Sequence, residues 1–193
     1  MSIWHSMTWL NPPPHHEIDG TALRVRTGDH TDFWQTTYYG FQHDNGHFLH
    51  VEREGEFTLK TKFTGRYETL YDQAGLMIRH DAGNWMKCGI EFTDGACHFS
   101  TVVTVEGRSD WSAFALPSLE GPLAARATRI GDALFIQYSL DDGKSWKMAR
   151  LAYFPDRFKR LSVGVTTCSP QRKGFEVEFH RVSLSDPLSR DIH

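Results

Sequence analysis

Trp85-Met86-Lys87-Cys88-Gly89-Ile90-Glu91-Phe92-Thr93-Asp94-Gly95-Ala96-Cys97-His98-Phe99-Ser100-Thr101-Val102-Val103 contains two runs of strand-forming residues joined by Asp-Gly, a pair suited to the positive φ angles of a two-residue hairpin turn. Closing that turn sets Thr93 against Ala96, Phe92 against Cys97, Glu91 against His98, Ile90 against Phe99, Gly89 against Ser100 and Cys88 against Thr101. Residues that face each other share a side of the sheet, and the side alternates along each strand. One side then carries Met86, Cys88, Ile90, Phe92, Cys97, Phe99 and Val103, an apolar set that reads as core. The other carries Trp85, Lys87, Gly89, Glu91, His98 and Ser100. If Gln73 to Arg79 forms the preceding strand with Leu76 and Ile78 inward, Gln73, Met77 and Arg79 join this polar row.

The same period-two pattern extends outward over most of the chain. Strands are predicted over Ala22–Thr27, His47–Glu52, Phe57–Thr64, Gly75–His80, Trp85–Phe92, Ala96–Val105, Leu123–Ile130, Leu134–Leu140, Trp146–Tyr153, Lys159–Thr166 and Phe175–Leu184. Asp142-Gly143 and Gly131-Asp132 mark further hairpin joins, and Pro12-Pro13-Pro14 reads as a stiff extended entry. No stretch keeps a helical period for three turns. Eleven strands exceed one ordinary open sheet, so the expectation is all-β: a two-sheet antiparallel β-sandwich. With 193 residues, no internal repeat and no Ser/Gly tract to divide it, the chain is read as one domain over residues 1–193.

Composition narrows the function. Lys+Arg 21 against Asp+Glu 24 gives a formal charge of −3, so no basic field is available for nucleic acid. No window approaches the roughly 18 apolar residues of a membrane span, and residues 1–14 lack the basic start and apolar block of a secretion signal. Three cysteines, an odd number, argue for free thiols and a reducing compartment. The expectation is therefore a cytoplasmic protein that binds neither nucleic acid nor membrane.

Three local patterns bear on chemistry. Ser139-Leu140-Asp141-Asp142-Gly143-Lys144-Ser145-Trp146 is similar to the Asp-box hairpin of sialidases, in which Asp141 accepts turn N–H groups, Gly143 takes positive φ and Trp146 folds beneath. It occurs once, so it is read as structural. Glu52, Glu54 and Glu56 would share one face of an uninterrupted strand, as glycosidase acid pairs do, but Gly55 signals a turn that scatters them. His43, His47 and His50 lie close in sequence, yet His47 and His50 differ by three and point to opposite faces, so no metal site is expected. No nucleophile motif and no cofactor signature is present.

The polar row is the strongest candidate site. Gln73, Trp85, Lys87, Glu91 and His98, rimmed by Trp34 and Trp111 from the aromatic segments Asp32–Tyr39 and Ser109–Ser112, offer rings for the apolar face of a sugar and fixed polar groups for its hydroxyls. Asp72 stands beside Gln73 as a second acid for Glu91.

Thr31-Asp32-Phe33-Trp34, Tyr39-Gly40-Phe41, Asp44-Asn45-Gly46-His47-Phe48, Asp72-Gln73-Ala74-Gly75-Leu76-Met77, Trp85 to Glu91, Ser109-Asp110-Trp111-Ser112 and Gly164-Val165 through Ser169-Pro170 together resemble the DUF1349 family, the regulation-of-enolase-like proteins of bacteria and fungi. The resemblance runs from about Trp4 to Leu184. It implies a concanavalin A-like lectin/glucanase jelly roll, carries no settled catalytic set, and points to carbohydrate use in some members and to enolase regulation in a fungal one. The legume-lectin metal loop and the glucanase acid motif are absent, so neither activity follows from the fold. Three functions are thus expected in order: binding of a saccharide or small polar metabolite; a glycoside hydrolase or lyase using Glu91 with Asp72; and a regulatory module with a protein partner.

Overall fold

Asp94 and Gly95 take φ angles of 52° and 73°, and the hairpin they close pairs Thr93 with Ala96 through to Trp85 with Thr104. This is the register deduced from the Asp-Gly turn. The structure, a computed structural model, describes residues 3–119 and 121–188. In chain order the strands are β1 (Thr8–Leu10), β2 (His15–Asp19), β3 (Ala22–Arg26), β4 (Phe33–Gln35), β5 (Gln42–Asp44), β6 (His47–Glu54), β7 (Phe57–Gly65) and β8 (Gln73–Asp81). They continue with β9 (Asn84–Thr93), β10 (Ala96–Val105), β11 (Arg108–Ala115), β12 (Leu123–Ile130), β13 (Ala133–Ser139), β14 (Lys147–Tyr153), β15 (Arg160–Cys168) and β16 (Glu176–Ser185). All eleven expected strands are present within two residues at either end. The five others escaped notice because β1, β4 and β5 have three residues each, β2 follows the proline run, and β11 reads Arg-Ser-Asp-Trp-Ser-Ala-Phe-Ala, with no β-branched residue.

The strands form two seven-stranded antiparallel sheets, a β-sandwich. Sheet A has the order β1-β6-β15-β8-β9-β10-β11, sheet B the order β14-β13-β12-β7-β16-β3-β2, and β4 and β5 make a separate ribbon. In each sheet a strand from late in the chain fills an interior position: β15 between β6 and β8, and β16 between β7 and β3. Leu76, Ile78, Met86, Ile90 and Phe99 from sheet A meet Leu23, Leu59, Phe63, Ile136 and Phe179 from sheet B in the main core. Each such side chain contributes about 1.5–3 kcal/mol by leaving water. Cys88, Cys97 and Cys168 are unpaired. No helix among the described residues is long and apolar enough to cross a membrane.

The outer face of sheet A differs from the sequence expectation. It is not an open polar row, because Gly28 to Gly46, including the β4–β5 ribbon, folds across part of it. Phe33 and Trp34 close over Met77, Trp85, Val102 and Cys168 in a second apolar cluster. Gly46 is required there, since a Cβ would sit 2.4 Å from the Phe33 ring and 2.6 Å from the Cys168 sulfur. The cover is fastened at its edges. Arg79 makes a two-pronged ion pair with Asp44 at 2.7 and 2.9 Å, Ser109 Oγ accepts the Gln35 N–H at 2.9 Å, and Asn11 donates to the carbonyls of Asp44 and Gly46. His47 pins its base: Nε2 accepts the Gly28 N–H at 2.9 Å, which leaves Nδ1 to donate to the Asn11 carbonyl at 2.7 Å.

Candidate functional site

Between this cover and the far half of the outer face lies a pocket of about 380 Å³. Period-two alternation on β9 aims Lys87 and Glu91 into it, and Gln73, the register partner of Glu91 on β8, lies beside them. Trp34 from the ribbon and Trp111 from β11 stand in its walls with Tyr39, Phe41 and Tyr71. The floor is buried and charged: Lys87 is 6 % exposed and Glu91 4 %.

The Lys87 ammonium bridges Asp32 Oδ1 at 2.9 Å and Gln73 Oε1 at 2.8 Å. Burial works against its charge, and the carboxylates of Asp32 and Glu91 outweigh that, so its pKa lies above the ordinary lysine value. Asp32 is itself oriented by the Phe33 N–H, which donates to Oδ1 at 2.8 Å, and by Asn45, whose side-chain oxygen accepts the Asp32 N–H at 3.0 Å. Glu91 is raised above the usual carboxylate range by burial first and by the Asp32 charge; the Ser100 hydroxyl, Lys87 and His98 oppose the shift. Trp111 Nε1 donates to Ser100 Oγ at 3.0 Å, which ties the wall to the floor.

Two residues of the lining take positive φ, His30 at 50° and Tyr71 at 67°, as do Thr36 at 60° and Tyr38 at 63° in the turn of the ribbon. Each costs local strain, and such residues cluster at ligand-holding loops. Tyr38 and Tyr39 meet edge to face at 5.0 Å, Tyr39 stacks on Phe41 at 5.1 Å, and Phe41 lies 4.7 Å from the His43 ring. Across the opening Tyr71 meets Trp111 edge to face at 6.4 Å. Burial, then the Tyr39 hydroxyl, pushes the Tyr71 phenol up to about 12.

The structure brings together Gln73, Lys87, Glu91, Trp34 and Trp111, and it corrects three assignments. Trp85 is fully buried; its ring packs 6.1 Å from that of Phe33 under the cover, so it supports the site and cannot be a platform. His98 lies outside the pocket lining, its Nδ1 3.1 Å from the Ala96 carbonyl oxygen. Asp72 does not face Glu91 as a second acid. Its buried carboxylate takes the N–H groups of Glu68 and Thr69 at 3.0 Å each and a two-pronged Arg172 contact at 3.0 and 2.5 Å. That grip fixes the turn that holds Tyr71 at positive φ. Asp32 is the acid the sequence reading missed. Its signal was indirect: a lysine aimed at a covered face needs a carboxylate, and Asp32 opens the aromatic segment that supplies the cover.

The Asp-box hairpin lies far from this pocket, at the β13–β14 turn. Asp141 accepts from the Ser145 N–H and hydroxyl at 2.9 and 2.5 Å and from the Ser139 hydroxyl at 2.7 Å, which depresses its pKa. Gly143 takes φ 82°, and Arg126 and Lys60 flank the Trp146 ring at 4.1 and 5.0 Å. A larger, open groove of about 500 Å³ crosses the outer face of sheet B, but its arginines are already engaged by Glu176 and Glu178.

Comparison with known proteins agrees with this architecture. "Regulation of enolase protein 1" of Saccharomyces cerevisiae is 42% identical over 186 residues, 96% of this chain and 92% of that protein. A crystal structure of a functionally unknown Saccharomyces cerevisiae protein superposes with TM-score 0.91 at 41% identity, covering 96% of this chain and 99% of the other. The carbohydrate binding module CBM66 from Bacillus subtilis shares the fold alone, with TM-score 0.59 at 15% identity over 93% and 97% of the two chains. The family described as "Protein of unknown function (DUF1349)" matches residues 9–187, and this chain belongs to it.

Proposed function

We propose that the pocket between β9 and the ribbon binds a small saccharide. The observation that carries the reading is the union of aromatic walls with a floor of directional polar groups, Lys87, Gln73, Glu91 and Asp32. Rings accept the apolar side of a pyranose, and pre-oriented charged groups exchange strong bonds with vicinal hydroxyls. The volume suits one or two sugar rings better than a long chain. A carbohydrate binding module among the fold relatives supports the reading, and three unpaired cysteines support a cytoplasmic setting for it. Binding, not turnover, is proposed, because Asp72, the acid expected to partner Glu91, is held by Arg172, and Asp32, the other carboxylate of the floor, is held by Lys87.

Calorimetry and thermal shift with mono- and oligosaccharides test it. Glu91→Gln is expected to keep the fold and weaken binding by about 1.5–3 kcal/mol, roughly 10- to 150-fold. An unaltered affinity in that variant, or no saccharide raising the melting temperature of the wild type, removes the reading.

A second reading, a regulatory contact with a protein, is favoured by the name of the yeast relative and by the exposed Met148, Leu151 and Tyr153 on the edge strand β14. Mutating these three to polar residues separates the readings: saccharide affinity should not change, while a protein contact through β14 would be lost.

A further inference from the structure

We infer that the pocket selects a saccharide bearing a primary amine, an amino sugar, over its neutral or acidic counterparts. The inference rests on the saccharide reading above and names the charge of the ligand. Two carboxylates, Asp32 and Glu91, face one ammonium, Lys87. Asp32 is within ion-pair distance of Lys87. Glu91 has no ion-pair partner among the described residues, and Ser100 on the facing strand acts on it electrostatically. Lys87 spends two of its three N–H donors on Asp32 and Gln73. The floor therefore sets two carboxyl groups against one ammonium and leaves that of Glu91 open to the ligand space.

The walls have the same preference. Trp34, Tyr39, Phe41, Tyr71 and Trp111 line the pocket, and the faces of such rings carry negative quadrupole density that attracts a cation, Trp most of all. An ammonium entering between Trp111 and Glu91 would gain the carboxylate and the rings together, in surroundings where water screens poorly. A uronate or sugar phosphate would meet the two carboxyl groups of the floor and an ammonium that is already engaged.

Proton linkage follows from the groups around Glu91: Lys87 on its own strand, Asp32 from the cover, Gln73 on β8, His98 and Ser100 on β10, Tyr71 before β8 and the Cys168 thiol on β15. Burial raises the Glu91 pKa, so as pH falls this carboxyl takes up a proton before an ordinary one, and the amine preference shrinks with it.

The test is calorimetry at low salt with common hexoses and pentoses, their amino-deoxy forms and their uronic acids. At pH 7.5 an amine form is expected to bind on the order of tenfold tighter than its neutral parent, with the uronate weakest. In Glu91→Gln the amine and neutral forms should bind alike, whereas Trp111→Ala should weaken both while retaining part of the preference. Neutral and amine forms binding equally to the wild type would overturn this inference and leave the saccharide reading standing. A preference that survives Glu91→Gln would overturn the role given to that carboxylate. Binding of no member of the panel would remove both.

Discussion

The two sheets present the same alternation of apolar and charged residues, yet their outer faces have opposite electrical surroundings. On sheet B the charges stay in water: Arg24 pairs with Glu178 at 2.9 Å and Lys62 with Asp142 at 2.6 Å, with the basic side chains one-third to one-half exposed. On sheet A the same kind of residue is shut under the ribbon, where Lys87 meets Asp32 and Arg79 meets Asp44 with the basic side chains at most one-tenth exposed. Solvated pairs contribute little to stability, and buried ones are dangerous to break. Alternation decides which way a side chain points; the chain that crosses above decides whether it meets water.

That contrast is open to attack, beginning with the largest effect. Asp32→Ala deprives the buried Lys87 ammonium of its ion-pair partner, and urea denaturation is expected to show a loss of about 3–5 kcal/mol. Adding Lys87→Met should recover much of it, since the deficit lies in the orphaned charge and not in the missing contact. A loss below about 1 kcal/mol would mean that water reaches Lys87 and that the two faces do not differ as described.

Acid provides the next probe. Burial lowers the His47 pKa below its ordinary 6.5, against the pull of the Asn11 carbonyl. As pH falls from neutrality the unfolded chain takes up this proton first, so stability is complete above about pH 6.5 and declines toward the lower folded value. His50, lowered by burial and by Arg79 with Glu52 opposing, adds to the same slope. His47→Gln should flatten the acid limb of a stability-against-pH curve, and a limb of unchanged steepness would show that the base of the cover is not under His47 control.

Smaller effects belong to sheet B. Asp141→Ala removes the acceptor that organises the Asp-box turn and is expected to lower the melting temperature by a few degrees while the saccharide binding proposed for the pocket is unaffected. Glu178→Gln, on the solvated face, should move the melting temperature by about a degree or less. A larger shift there than in Asp32→Ala would reverse the comparison.

Most of the sandwich could be read from the chain because its signals are local: Asp94-Gly95 fixed a register, and that register sorted Met86, Cys88 and Ile90 from Lys87 and Glu91. The walls of the pocket were legible in part, as Trp34 and Trp111 lie in conspicuous aromatic segments. What could not be read depends on contacts distant in sequence. Trp85 shares a face with Lys87, and only the placement of Phe33, some fifty residues away, tells which of the two is sealed and which borders a pocket. Asp72 next to Gln73 looked available until Arg172, a hundred residues on, claimed it. Asp32 entered as a neighbour of aromatic residues, and its pairing with Lys87 needed the ribbon to be laid across the sheet.

The interior positions of β15 and β16 bear on how the chain comes off the ribosome. While residues 160–185 are still unmade, β6 and β8 have no common neighbour, and β7 has no link to β3. Each half-sheet then shows an unpaired strand edge beside uncovered Phe63, Leu76 and Leu49, the kind of surface on which nascent chains join one another. The meander β8 to β11 can form early from near neighbours, but the sandwich closes only when its two late strands slot in. Slow folding and a reliance on chaperones until those strands emerge are the expected cost of that order.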